Sequence, residues 1–127
     1  MKFIVESEKS VAQAAADLES AIIARKFGVL YTHDIHATLN AKGVPFEPEC
    51  LVLEVCNPQQ AGKVLTEDMD MNMALPCRVS VYQKDGRTLI GMLSPKAMLQ
   101  SLSDSPALSR VATEVEAVLT EAIEASR

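Results

Sequence analysis

With 127 residues, a formal charge of −5 and no tryptophan, the chain is long enough to bury one domain's core, but that core must be aliphatic. The acidic balance, with Lys9, Arg25, Lys42 and Lys63 scattered as single cations, excludes the clustered basic surface that nucleic acids require. Ordinary apolar content argues against disorder, and no apolar run approaches the ~20 residues needed to span a membrane.

The first six residues, Met1 to Glu6, become charged too early for a signal peptide. Without such a signal, an odd set of three cysteines points to free thiols in a reducing compartment, and a cytoplasmic location is expected. Phe3 to Glu6 reads as a short first strand. Val11, Ala14, Ala15, Leu18 and Ile22 then follow helical spacing, with Ser7 or Ser10 available as the cap. Phe27-Gly28 is expected to end that helix, glycine suiting a left-handed exit. Val29 to Thr32 is a second strand, and Ile35 to Lys42 forms one or two helical turns stopped by Gly43 and Pro45.

Leu51 to Val55 is the third strand. After it one device recurs: Asn57-Pro58, Ser94-Pro95 and Ser105-Pro106 each set a capping residue before a proline. They predict helices from Pro58 to about Leu65, Pro95 to Leu102 and Pro106 to Ala125. The last has Leu108, Val111, Val115, Val118, Leu119 and Ile123 along one face. Between the first two lies a hairpin, Cys77 to Gln83 and Thr88 to Met92, around an Asp85-Gly86 turn. The pattern is α+β: a mostly antiparallel sheet of about five strands in a single domain over residues 1–127, with helices on one face.

Strand alternation then sorts the side chains. Leu51, Leu53 and Val55 belong under the helices with Val79 and Val81, while Val52, Glu54 and Cys56 point the other way with Arg78, Ser80 and Tyr82. The open face is thus a mixed polar surface for a small ligand or a second subunit. Cys56 and Cys77 both stand at element boundaries beside a proline. One reading makes them a redox or soft-metal pair, which requires close approach and a thiolate. The other makes them small buried apolar groups, and alternation favours it, because Cys56 shares the Glu54 face and Cys77 the core face. Cys50 reads as structural. Asn57 caps a helix whose free amides, beside Cys56, offer a place for an anion and a means of lowering a thiol pKa.

Three further groups attract attention. Met69, Met71 and Met73 near Cys77 have the ligand types of a cuprous site, but equally suit a segment with one face buried. His33 and His36 lack a third ligand, and His33 is expected to face solvent at a strand end. Asp34 and Lys42 bracket one short helix, either orienting a polar substrate or forming an exposed ion pair of little worth. No glycine-rich phosphate loop, nucleophile elbow or carboxylate cluster with a base is present, so no cofactor is indicated and an enzyme is not the favoured class.

The segment Leu53-Glu54-Val55-Cys56-Asn57-Pro58, followed by Ala61 and Leu65 and then by Leu75-Pro76-Cys77-Arg78-Val79-Ser80-Val81-Tyr82, resembles the DUF302 family of small bacterial and archaeal proteins. Ser94-Pro95-Lys96-Ala97-Met98-Leu99 looks like that family's Asp-Pro segment with serine for aspartate, and Gly28-Val29-Leu30, Asp34, Leu39 and Lys42 also fit. The resemblance implies a curved antiparallel sheet with two main helices, similar to the TATA-binding-protein fold, and a homodimer. It implies no activity, and part of the family has Gly-Asn-Pro and Leu-Pro-Leu where this chain has its cysteines. The resulting expectation is a small homodimeric binding or accessory domain. Its ligand residues would be Glu54, Cys56, Asn57, Arg78, Ser80 and Tyr82, with Asp34 and Lys42, and the competing class is a thiol redox or copper-handling protein using Cys56 and Cys77.

Overall fold

The three capping residues set before Pro58, Pro95 and Pro106 all open helices. The side-chain oxygens of Asn57, Ser94 and Ser105 accept from the backbone N–H groups of Gln60 (3.1 Å), Ala97 (3.0 Å) and Leu108 (3.4 Å). Of the two serines available to the first helix, Ser10 is the cap, accepting from the Gln13 N–H at 3.1 Å. The computed structural model describes residues 1–127. Its helices are Val11–Ala24 (α1), Ile35–Ala41 (α2), Pro58–Glu67 (α3), Pro95–Leu102 (α4) and Pro106–Ser126 (α5), with a 3₁₀ helix over Met69–Ala74. None is long and apolar enough to cross a membrane.

The strands are Lys2–Ser7 (β1), Gly28–Asp34 (β2), Cys50–Cys56 (β3), Cys77–Lys84 (β4) and Arg87–Leu93 (β5). They form one sheet in the order β1-β5-β4-β3-β2, and every pairing is antiparallel. The β4–β5 turn is tight because Asp85 and Gly86 both take positive φ, 53° and 75°, matching the twist of the flanking strands.

Alternation puts Leu53, Val55, Val79, Val81 and Ile90 on the helix side, each buried. With α1 and α5 they close one core of 22 buried residues. The helices form more than a simple cover. α1 lies against β2 to β5, whereas α5 packs on α1, α3, α4 and β1. On α5, Val115 is buried and Val118 half-buried, while Glu114, Glu121 and Glu124 are exposed, as the helical periodicity requires. Replacing Val115 by alanine is expected to cost on the order of 1–3 kcal/mol, through lost methyl burial and the cavity left behind. Urea unfolding of the variant measures this, and a neutral result would mean that α5 does not dock by that face.

Three local features differ from expectation. The left-handed residue that ends α1 is Lys26, φ 66°, and not Gly28, which lies in β2. The Phe27 N–H reaches back to the Ile22 carbonyl and the Lys26 N–H to that of Ile23. This closure seats two buried side chains, Phe27 and Ile22, against the end of the helix, and so fixes the left-handed position at the residue between Arg25 and Phe27. In β2 the register slips between Val29 and Tyr31, leaving Leu30 in a β-bulge. Finally, the methionine segment is a 3₁₀ helix with only Met71 buried. At three residues per turn Met69, Met71 and Met73 fan out in different directions, which separates the sulfurs a copper ion would need together.

Candidate functional site

The open face of the sheet is built in rows. Ile4, Gly91, Ser80, Val52 and His33 stand side by side across the five strands, and Arg78, Glu54 and Tyr31 form the adjacent row. Tyr82 lies between Leu89 and Cys50 in the next row. A side chain at Gly91 would come within 3.0 Å of Ile4 Cγ1 and 3.2 Å of the Phe3 carbonyl, so glycine lets the β1 chain settle into the floor. Over this floor runs a trough of about 600 Å³, walled at one end by the 3₁₀ helix and the start of α4. Arg78, Ser80 and Tyr82 line it, together with Lys2.

Cys56 and Asn57 lie elsewhere. They border a second, inner cavity of about 260 Å³ among α3, α4, α5 and the β2 bulge. Leu75, Pro76, Cys77 and Pro95 line both hollows and form the partition between them. The expected single site is therefore two sites back to back, because β3 and β4 end at the sheet margin and the chain there turns away from the open face. Glu54 lines neither hollow, nor do Asp34 and Lys42. Asp34 caps α2, accepting from the Ala37 N–H at 2.9 Å, and Lys42 ends the same helix.

His33, next to the end of β2 and with 40% of its side chain exposed, is also paired. Its Nε2 is 2.9 Å from Glu54 Oε1, and its ring meets Tyr31 edge-on at 4.6 Å. Sequence reasoning missed this because the bulge changes the phase of β2 after Leu30. Val29 keeps the core register opposite Val55, whereas Tyr31 and His33 fall opposite Glu54 and Val52 on the open face.

The thiols do meet. Cys77 pairs with Val55, next to Cys56, and both cysteines line the inner cavity. Cys77 keeps the core-face phase of Val79, and the cavity reaches round the end of β3 to include Cys56. Their chemistry nevertheless runs against a nucleophile. Burial pushes Cys77 up to about 11, with the Cys56 thiolate adding to the rise, and burial also raises Cys56. The N-terminus of α3 thus fails to lower Cys56, since desolvation dominates there. Cys50, at the far end of β3, is raised by burial and by the Asp34 charge. All three cysteines are free.

These features sit within a known fold. The "Domain of unknown function DUF302" model matches residues 3–126. A crystal structure of an uncharacterized conserved DUF302 protein from Bacillus stearothermophilus superposes with a TM-score of 0.93. It is 32% identical in sequence, over 99% of this chain and 98% of that one. No curated protein matches the chain. The chain belongs to the DUF302 family.

Proposed function

We propose that the protein is a small binding domain whose open sheet face takes an amphipathic anion. The observation that carries this reading is the chemistry of the trough: ten of its sixteen lining residues are hydrophobic, and its only charged ones, Lys2 and Arg78, are both cations without an acidic partner. An apolar body would lie on Ile4, Val52 and Leu93, with its anionic group toward Arg78 and the hydroxyls of Ser80 and Tyr82 offering further hydrogen bonds. The absence of a basic cluster keeps nucleic acid out of this reading, and the odd number of cysteines keeps a cytoplasmic setting within it.

Titration with 1-naphthoate, a ring system bearing one carboxylate, tests the reading. Arg78→Ala is expected to weaken binding by about tenfold, the worth of one charge-assisted hydrogen bond on a partly solvated surface. Equal affinity in the variant would remove Arg78 and the anion with it.

The same face supports a two-fold contact. Ile4, Leu93 and Met73 are 45%, 52% and 82% exposed around the trough, a set of apolar groups costly to leave in water. A second copy laid over them would bury this rim and shield the bound ligand. Sedimentation equilibrium at low micromolar concentration is expected to give a dimer, and Leu93→Asp to shift it toward monomer. A wild-type monomer under those conditions would remove the contact and leave the trough open to solvent.

A further inference from the structure

The inner cavity has a chemistry opposite to that of the trough. Of its 18 lining residues 13 are hydrophobic, and none is charged. Its two thiols are held protonated by burial at neutral pH, so its wall carries no ionic group. The polar exceptions are three side-chain amides, those of Asn57, Gln60 and Asn72. One of them is anchored away from any guest, since Gln60 Nε2 donates to Glu114 Oε2 at 2.9 Å.

The β2 bulge points to the same cavity. It takes Leu30 out of the ladder and sets it at the cavity, where the side chain remains 61% exposed. Bulges re-aim side chains in this way beside binding sites. An apolar side chain turned to an apolar hollow and left in water gains burial when the hollow is filled.

We infer that this cavity is a second binding site, separate from the trough, for one small neutral apolar molecule. Apolar cavities of about 150 Å³ stay dry and take up benzene, so the 260 Å³ here suits a guest of about ten non-hydrogen atoms. The ring of the guest lies among Phe27, Val64, Leu99 and Val115, under the side chain of Leu30. An anion is excluded, since the cavity has no cation to offset its desolvation.

The probes are 1-naphthol, neutral near pH 7, and 1-naphthoate, titrated by calorimetry into wild-type protein, Ala61→Phe and Arg78→Ala. Ala61 lines only the inner cavity, so its replacement by phenylalanine fills that space. Expected is 1-naphthol binding that falls by about tenfold or more in Ala61→Phe and is unchanged in Arg78→Ala. The naphthoate series reports on the trough through Arg78→Ala, so either reading can fail without the other. A readout that needs no variant is the alkylation of Cys56 by N-ethylmaleimide, with Cys50 at the far end of β3 as internal reference. Saturating 1-naphthol is expected to slow Cys56 several-fold relative to Cys50. No binding of 1-naphthol up to about 1 mM, an affinity of about −4 kcal/mol, would overturn the inference. So would binding that Ala61→Phe leaves intact. If Ala61→Phe does not fold, the Cys56 rate decides: slowing supports the cavity and an unchanged rate overturns it.

Discussion

Replacing Leu18 by alanine is expected to destabilise the protein by about 3–5 kcal/mol, the upper part of the range for a large-to-small change in a closed core. Leu18 has no exposed surface and lies midway along α1, the one helix that touches both α5 and four strands of the sheet. Neighbours on two sides are held by separate layers, so the gap cannot collapse by moving a single element. The corresponding fall in Tm is roughly 10–20 °C for a domain of this size. Ile23, on the same helix but 57% exposed, provides the contrast, and Ile23→Ala is expected to stay within about 0.5 kcal/mol of wild type. Calorimetry of both variants measures the difference. If Leu18→Ala melts with Ile23→Ala, α1 is not the middle layer of the core.

The second large effect is alkaline. Cys77 has an ordinary thiol value of 9.0 when unfolded and about 11 in the folded chain, because burial disfavours its thiolate. Above pH 9 the unfolded chain sheds this proton while the folded chain retains it up to about pH 11. Proton loss therefore favours unfolding progressively across that window, and the stabilisation fully present below pH 9 drains away as pH rises through the folded value. The loss from this one group is about 2–3 kcal/mol. Lysine and tyrosine titrations overlap the same range, so the measurement is a difference. Urea denaturation from about pH 8 to about pH 11 should show wild type losing about 2–3 kcal/mol more than Cys77→Ala. Parallel losses in the two proteins would mean that the thiol is hydrated and ordinary. The same protonated state disfavours attack by either thiol on a disulfide or peroxide near neutral pH, which weighs against the redox alternative.

Local signals determined most of the architecture from the sequence by itself. A capping side chain followed by proline acts within four residues, and three such pairs placed the starts of α3, α4 and α5. Asp85-Gly86 fixed the β4–β5 hairpin in the same local way, and period-two alternation assigned Arg78, Ser80 and Tyr82 to the open face where they line the trough. Only the tertiary structure decided where these rules stop. Alternation assigns faces only inside the sheet, and Cys56 and Cys77, assigned to opposite faces, both border one cavity at the sheet margin. The bulge at Leu30 shifts the phase of β2 by one residue and brings His33 to Glu54, a change driven by pairing with β3 that β2 does not encode alone. The division of the predicted site into two hollows is likewise non-local. It depends on how α3, α4 and α5 stack beyond the Leu75–Cys77 partition, and packing between elements distant in sequence leaves no periodic trace in the chain.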